Sequence, residues 1–305
     1  MEKDNLRTFN HHFNGNKEIR FPTAYESESR DSILIESFVE GKPVTYYETN
    51  RHPLNAYMAR LGTNAFFEML MKNNFIHADC HGGNILVQVT EHQPTFLGEV
   101  WDWCCDKGRQ LAARVRSSFM EESLRKLYEV AEEEEQAIRE MIRKCGDRVK
   151  ITLIDVGMVI RLSEDDRLNF TSFLKNVVQG NSEKCASLIY GLSNFGGEKI
   201  LEGQFGEFKA ELRRLFSVLD TKSIFDIEGV QLLVGMLDIL REHNMKLQGE
   251  FATLLTNIMV LESIAKEIDP DIQILKCALP YFQHVPDNGA LEALSQPSAR
   301  ALTTA

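Results

Sequence analysis

Residues 75–87 read FIHADCHGGNILV and set His77, Asp79 and Asn84 in the pattern HxDxxxxN, between an apolar helical stretch and an apolar strand. Phosphoryl transfer needs a carboxylate near the acceptor hydroxyl, and an amide oxygen five residues later can help to hold Mg²⁺. The loop places both groups on one side of a cleft. The pattern therefore predicts the catalytic loop of a phosphoryl-transfer site.

A second carboxylate supports the same interpretation. Asp155 follows the apolar run of residues 151–154 and precedes Gly157, which frees the turn. Mg²⁺ takes hard oxygen ligands and rarely obtains all of them from protein, so we expect Asn84 and Asp155 to hold it together with phosphate oxygens. The HxDxxxxN match is weak by itself. The order helix, loop, strand and then strand–Asp–x–Gly favours a kinase-like fold.

Two other interpretations of the loop stay open on the sequence alone. In the first, Asp79 and Asn84 cap local structure around a buried His77, and the loop has no catalytic role. In the second, His77, Asp79 and His81 are ligands of a metal hydrolase, because an alternating His-Asp-His run can present several ligands to one ion. No distant His or Cys cluster in the sequence completes that second site.

The composition bounds the class of protein. With 305 residues and 43% hydrophobic content, the chain can bury a sizeable core. Its formal net charge of -11 argues against nucleic-acid binding, where a basic face supplies most of the affinity. The six cysteines form no CxxC pair, which indicates free thiols in a reducing compartment. No apolar stretch reaches the ~20 residues that cross a bilayer, and the first ten residues are no targeting signal.

The order of elements, from LIESF of residues 34–38 through the long helix and the loop to LIDVG of residues 153–157, predicts an α+β fold of the protein-kinase type, with a mostly helical C-lobe and a remnant of the N-lobe. We expect a remnant N-lobe and hinge in residues 1–40, the C-lobe in 41–283 and a flexible tail in 284–305. The acidic run in residues 90–150 predicts an exposed, mobile insertion. Helices are predicted for residues 2–13, for 54–72 and for most of 163–283, and strands for 17–22, 31–41, 85–89 and parts of 150–162.

The loop HADCHGGN of residues 77–84 and the DVG of residues 155–157 resemble the UbiB family of atypical kinases, also called aarF-domain-containing kinases. The corresponding loop of that family reads close to HADPHPGN. The resemblance covers roughly residues 1–283. It is fairly specific, because His81 replaces the lysine of ordinary protein kinases, although aminoglycoside and choline kinases share that histidine.

The resemblance implies a role for each matching residue. Asp79 corresponds to the catalytic aspartate, with His77 and His81 beside it, and Asn84 and Asp155 correspond to the Mg²⁺ ligands. Two sets of residues resemble nucleotide-binding positions. Glu2 corresponds to the helix glutamate that pairs with a strand lysine. Glu36, Ser37 and Phe38 correspond to the hinge, whose backbone meets adenine.

For the full-length protein, the resemblance implies ATP or ADP with Mg²⁺ as cofactors, and either phosphoryl transfer or ATP hydrolysis. It also implies a mitochondrial location, membrane association, and a link to coenzyme Q or lipid metabolism with a lipid or prenyl-quinone pathway substrate. It further implies that the full-length protein is an ATPase or a small-molecule kinase rather than a protein kinase.

The sequence departs from the family pattern in ways that bear on activity. Cys80 and Gly82 stand where the family has prolines, so we expect a more flexible loop. No strand lysine, phosphate-covering loop or KxGQ element precedes Glu2. We therefore expect an N-terminally truncated, catalytically silent chain whose apolar stripe of Leu6, Phe9 and Phe13 lacks its usual cover. The alternative function is a non-catalytic, pseudokinase-like scaffold.

Overall fold

The computed structural model describes residues 1–90, 148–194, 202–220 and 229–282, together with Gln136 and without Asp31, Arg51 and Pro53. The chain divides into two compact units, which are described separately below. The first unit comprises residues 1–161 and 253–280, and the second comprises residues 162–252 and 281–305.

The helices and strands of the described residues follow one another in this order: α1 Glu2–His12, β1 Ile19–Arg20, β2 Lys42–Pro43, α2 Thr45–Thr49, α3 Asn55–Phe67, β3 Ile76–His77, β4 Ile85–Val89, β5 Val149–Leu153, β6 Val159–Ile160, α4 Glu164–Val178, α5 Ser182–Leu192, β7 Ser193–Asn194, α6 Glu202–Asp220, α7 Gly229–Glu242, β8 Lys246–Leu247, α8 Gly249–Ile268, α9 Ile274–Cys277 and α10 Leu279–Phe282. A π-helical turn, Glu68–Asn73, extends α3, and a 3₁₀ turn, Gly82–Asn84, precedes β4.

The sheet of the first unit has the strand order β1-β5-β4-β2. Strand β5 is parallel to β1 and antiparallel to β4, which in turn is antiparallel to β2. The β4–β5 register runs from Ile85 opposite Leu153 to Val89 opposite Val149. The two strands therefore pair along their whole length, although residues 91–147 lie between them in sequence.

Helix α1 buries the apolar stripe that its periodicity predicts. Leu6, Phe9 and Phe13 are 1%, 0% and 6% exposed. The Phe9 ring stacks on Phe21 with centroids 4.5 Å apart and lies 4.6 Å from the ring of Phe75. The expectation that this stripe lacks a cover is therefore wrong, because aromatic side chains that follow α1 in the same unit supply the cover.

Most predicted elements of the first unit are confirmed, and two differ. The helix predicted for residues 54–72 changes to a π-helical turn after Phe67 and ends at Asn74, which has a left-handed φ of 46°. Residues 31–41 do not form a regular strand. Their backbone makes isolated bridges instead, between Ala24 and Glu36 and between Arg30 and Ile33. A turn-rich segment this short does not allow a longer ladder.

The second unit is helical, as predicted for the chain beyond Ser163. Ser163 caps helix α4, since its Oγ accepts a hydrogen bond from the backbone N–H of Asp166 at 3.1 Å. Aromatic packing joins α4 to the start of α8, where the rings of Phe170 and Phe251 are 5.5 Å apart. Strands β7 and β8 form a short antiparallel pair.

The proposed boundaries at residues 40/41 and 283/284 stay predictions. The tail of residues 284–305 lies outside the described residues, and so does the insertion of residues 90–150 except for Thr90, Gln136 and residues 148–150. Within the part of the chain that the structure describes, no helix combines the length and apolar character needed to cross a membrane.

Candidate active site

His77 lies under the predicted catalytic loop and is 0% exposed. Its Nε2 is 3.0 Å from the carbonyl oxygen of Ile154, and its Nδ1 is 3.1 Å from the backbone nitrogen of Asp79. One neutral tautomer satisfies both bonds: Nε2–H donates to Ile154, and Nδ1 accepts from the Asp79 N–H. Burial lowers the pKa of His77, which favours this neutral form.

Asp79 and Asn84 are joined across the loop. The Asn84 amide nitrogen donates to the backbone carbonyl of Asp79 at 3.0 Å and is 3.5 Å from the carboxylate Oδ2 of the same residue. Asn84 is 6% exposed, whereas the side chain of Asp79 is 45% exposed. The carboxylate is therefore accessible to a substrate. Because its amide nitrogen is engaged, Asn84 has its amide oxygen left to accept a cation.

Asp155 is exposed and follows β5 with a left-handed φ of 54°. Hydrogen bonds engage both backbone groups of Ile154, the residue before Asp155. The N–H of Ile154 donates to the carbonyl of Asn84 at 3.0 Å, and the carbonyl of Ile154 accepts from His77. The antiparallel β4–β5 pair thus brings Asn84 and Asp155 to the same end of the sheet, despite the long sequence between them.

Three carboxylates form an acidic cluster at this end of the unit: Glu2, Glu36 and Asp155. Burial raises the pKa of Glu2, and the charge of Asp155 raises it further. Burial likewise raises the pKa of Glu36, followed by the charges of Glu2 and Asp155. The buried Oε2 of Glu36 has no hydrogen-bond partner among the described residues. Burial and mutual repulsion therefore disfavour the charged forms of Glu2 and Glu36.

His81 extends the loop toward solvent. Its side chain is 54% exposed, its Nδ1 accepts the Gly83 N–H at 3.1 Å, and its Nε2 lies 3.8 Å from Oδ2 of Asp79. The next residue, Gly82, is buried, and so is Cys80, whose thiol has a pKa raised to about 12, chiefly by burial. Cys80 therefore stays a neutral thiol that is buried within the loop, where its Sγ lies 3.4 Å from the carbonyl oxygen of His77.

The predicted hinge lies on an irregular hairpin. The Ser37 N–H donates to the Thr23 carbonyl at 2.9 Å, and the Thr23 N–H donates to Ser37 Oγ at 2.9 Å. Phe38 is 91% exposed. Ser37 and Phe38 line a polar cavity of about 530 Å³, whose lining contains none of Asp79, Asn84 and Asp155. The cavity borders the hinge and not the catalytic loop.

The geometry speaks against the metal-hydrolase interpretation. Both ring nitrogens of His77 are engaged by backbone groups, so His77 has no lone pair left for an ion. Among the described residues, no group of three or more His, Cys, Asp or Glu side chains is arranged to hold a metal ion. A metal held by Asn84 and Asp155 would take its remaining ligands from phosphate and water, as Mg²⁺ commonly does.

Two contacts of the site were missed by sequence reasoning. Asn5, a buried residue of α1, donates from Nδ2 to the carbonyl of Val156 at 2.8 Å. Asn257 of α8, also buried, has its Nδ2 3.5 Å from the carbonyl of His77. The available signal was an asparagine on the apolar face of a helix, where its amide needs a partner.

The loop, the strand pair and the aspartate that follows it define the protein-kinase-like class of fold. The model of the ABC1 atypical kinase-like domain matches residues 1–189, and that of the UbiB helical domain matches residues 212–273. The chain therefore belongs to the ABC1/UbiB family of atypical kinase-like proteins.

Three relatives show the extent of the similarity. A Dictyostelium discoideum protein named "Probable serine/threonine-protein kinase abkC" is 26% identical over 293 residues, which are 92% of this chain and 42% of that protein. A mitochondrial ABC1 family protein of Schizosaccharomyces pombe is 25% identical over 283 residues, 91% of this chain and 38% of that protein. A "Probable protein kinase UbiB" of Tolumonas auensis is 20% identical over 291 residues, with coverages of 93% and 42%. The chain thus spans about two fifths of the length of these relatives.

Proposed function

We propose that this chain carries the metal and catalytic half of an ATP site that performs Mg²⁺-dependent phosphoryl transfer or ATP hydrolysis. The observation that carries the proposal is the hydrogen-bond network of the loop. Ile154 bonds to both His77 and Asn84, and Asn84 bonds to Asp79. This network supports one shared centre for the carboxylate of Asp79, the amide oxygen of Asn84 and the carboxylate of Asp155.

Asp79 is assigned the catalytic role, because its half-exposed carboxylate can accept a proton from an acceptor hydroxyl or from water. His77 is assigned a positioning role. It accepts the N–H of Asp79 and is shielded from solvent, so it fixes the loop and does not exchange protons with a substrate. His81 is assigned to the same centre, where its ring can donate to a phosphate oxygen.

Asn84 and Asp155 are the residues that would hold Mg²⁺. Their donor set fits the ion, since both supply hard oxygen atoms and both lie at one end of the β4–β5 pair. When bound, Mg²⁺ neutralises charge that develops on the transferred phosphoryl group.

The nucleotide base is assigned to the predicted hinge. The exposed Phe38 and the polar cavity beside Ser37 supply an aromatic face and hydrogen-bonding groups within the same unit. The backbone of Glu36 belongs to the hinge, whereas the carboxyl groups of Glu2 and Glu36 are assigned to the phosphate side, through a cationic partner. ATP and ADP are thus the proposed ligands.

The wider assignment rests on family resemblance. We propose a mitochondrial protein that acts in coenzyme Q or lipid metabolism, on a lipid or prenyl-quinone pathway substrate, and that associates with membranes as the full-length protein. The mitochondrial name of the Schizosaccharomyces pombe relative supports the location. Within the family, residues 75–89 and 251–270 most resemble the aarF-domain-containing kinase 2 subgroup, which we propose as the relevant branch.

The metal assignment is tested with Asp155→Asn. ATP is titrated into the parent and the variant, each with Mg²⁺ and with a chelator. We expect the parent to bind ATP more tightly with Mg²⁺ and the variant to lose that gain, because an amide dipole replaces a charge that holds the ion. Equal Mg²⁺ dependence in the two proteins would mean that Asp155 is not a ligand.

Asp79→Asn is the matched control. It changes a neighbouring carboxylate in the same way, but it should leave Mg²⁺-dependent ATP binding in place and abolish only turnover. Turnover is measured in the full-length protein, because the 305-residue chain is expected to be silent. If the parent binds ATP and the Asp79→Asn variant turns over ATP at the same rate, Asp79 is not the catalytic base. ATP binding without any turnover in the parent would favour the alternative of a pseudokinase-like scaffold.

A further inference from the structure

Asn5 connects helix α1 to the segment that carries Asp155. The side chain is 8% exposed, and its Nδ2 donates to the Val156 carbonyl at 2.8 Å and lies 3.5 Å from the Gly157 carbonyl. A buried asparagine in the middle of a helix is unfavourable unless its amide finds a partner. In α1 that partner is the backbone immediately after the proposed metal ligand.

The backbone at Asp155 needs such support. A left-handed φ of 54° costs a residue other than glycine roughly 1 kcal/mol or more, and it persists only when its surroundings fix it. On the N-terminal side, His77 and Asn84 fix Ile154. On the C-terminal side, the Val156 carbonyl is held by Asn5, and the Met158 carbonyl accepts from the Ala78 N–H at 2.9 Å.

Electrostatics oppose this arrangement. Glu2 is one helical turn before Asn5, and its Oε2 would be 3.7 Å from a Cβ built on Gly157, while Oδ1 of Asp155 would be 3.6 Å from the same point. The two carboxylates therefore approach the same backbone, where like charges repel. An attractive contact between α1 and the Asp155 segment is needed to hold them there, and the Asn5 amide provides one.

We propose that Asn5 is a positioning residue that couples helix α1 to the metal ligand Asp155. By holding the Val156 carbonyl, it sets the direction in which the Asp155 carboxylate points and keeps it close to Asn84. A shift of the first turns of α1 is then transmitted to the metal ligands without direct contact between α1 and the metal. This inference rests on the proposed function, in which Asp155 holds Mg²⁺.

The test uses three variants of the 305-residue chain. Asn5→Ala removes the donor, and Asn5→Asp keeps the side-chain shape while replacing the donor with an oxygen. Asn55→Ala is the matched control, because Asn55 is also buried, at 5%, and donates to the backbone carbonyls of Tyr47 and Ile268, away from the Asp155 segment. Asn5→Ala and Asn55→Ala are expected to lose stability to a similar degree. Asn5→Asp should lose more, because its added carboxylate lies near Glu2 and Asp155.

The first readout needs no ligand. Hydrogen exchange of the backbone amides of residues 155–158 is followed in the metal-free proteins. Both Asn5 variants should exchange these amides roughly tenfold faster than the parent, the factor that corresponds to one lost buried hydrogen bond. Asn55→Ala should not change them selectively. Unchanged exchange in the Asn5 variants overturns the proposal.

The second readout is the ratio of ATP affinity with Mg²⁺ to ATP affinity with a chelator. Both Asn5 variants should lower this ratio roughly tenfold and leave the metal-free affinity within about twofold, because the base and phosphates keep their own contacts. Asn55→Ala should keep the parent ratio. An unchanged ratio in the Asn5 variants overturns the coupling to the metal. If the parent itself shows no Mg²⁺-dependent binding, the proposed function fails, while the exchange result still decides whether Asn5 holds the segment.

Discussion

A side chain at Gly82 of the catalytic loop would collide with the methyl group of Thr45, an exposed residue. A Cβ at this position would lie 2.7 Å from Cγ2 of Thr45, the first residue of α2. The related loops read His-Pro at the corresponding place, and a proline ring would meet the same methyl group. The glycine is therefore matched to the position of α2 in this chain, and the loop at Gly82 is buried and closely packed.

This packing predicts a specific rescue. Gly82→Ala should lower the free energy of unfolding by about 1–3 kcal/mol, the usual cost of forcing an extra methyl group into a packed site. Thr45→Ser removes the opposing methyl group, so the double variant should recover more than half of that loss. Urea denaturation of the two single variants and the double variant measures the coupling. Strictly additive effects would show that Gly82 and Thr45 do not oppose each other.

The residues of the site differ in how far the sequence reveals them. His77, Asp79, Asn84 and Asp155 occur in a pattern that phosphoryl-transfer chemistry explains, and the structure brings their backbones together. The pattern does not distinguish a catalytic histidine from a buried one, because burial depends on packing. Asn5 escaped notice for a related reason: its partner Val156 lies 151 positions away, and a single sequence contains no signal for that distance.

Helix α1 illustrates the same limit at the scale of an element. Its period of 3.6 predicts both the helix and its apolar stripe, and both are found. What covers the stripe depends on tertiary packing. Phe21 directly follows β1 and Phe75 directly precedes β3, and no periodicity in these segments predicts their contact with α1. An exposed stripe follows only if a sheet is the sole possible cover, and the two phenylalanines show that it is not.

Helices α2 and α8 meet at a pair of carboxyl groups. Glu48 of α2 faces Glu267 of α8, and a hydrogen bond between two carboxyl groups requires that one of them carries a proton. Burial raises the pKa of Glu48, and the charge of Glu267 and this hydrogen bond raise it further. Because the folded state binds the proton more tightly than the unfolded chain, the pair stabilises the fold at low pH. That stabilisation is lost as the pH rises through the raised pKa of Glu48.

Glu48→Gln should therefore raise the midpoint of thermal unfolding near neutral pH. The amide N–H of glutamine can donate a hydrogen bond to Glu267 at any pH, whereas a carboxyl group must first be protonated. The gain over the parent should be larger at about pH 7.5 than at about pH 4, because the raised pKa of Glu48 makes the folded parent hold the proton better as the pH falls. Glu28→Gln, at an exposed position of the same unit, is the control and should show no such pH dependence. A gain that is equal at both pH values would contradict the shared proton.

At the scale of the whole molecule, the central sheet is built from strands that are far apart in sequence. Strand β5, at its centre, pairs with β1 and with β4, and the segment of residues 91–147 lies between β4 and β5. The short apolar runs of the sequence predict β1, β4 and β5, but not β2. They do not predict that the chain returns to the strand it left, because register is set by contacts across the gap. The family match over residues 1–189 includes both strands.

The ends of this segment are already aligned for a short connection. Val89 is opposite Val149, and the N–H of Thr90 donates to the carbonyl of Arg148 at 2.8 Å. A two-residue Asn-Gly turn that joins Thr90 to Arg148 would form a β-hairpin in the native register. Loop closure becomes easier by about 0.6 kcal/mol for each halving of loop length, so this replacement should leave the free energy of unfolding unchanged or raise it by up to ~3 kcal/mol.

The matched control shifts the register. If the same turn joins Val89 to Arg148, with Thr90 deleted, each side chain of one strand is moved to the opposite face of the sheet, and the apolar residues of β4 lose their buried positions. Denaturant unfolding and Mg²⁺-dependent ATP binding should be preserved in the in-register variant and lost in the shifted one, because Asn84 and Asp155 are placed by this pairing. Loss of cooperative unfolding in the in-register variant would show instead that residues 91–147 are part of what holds β4 against β5.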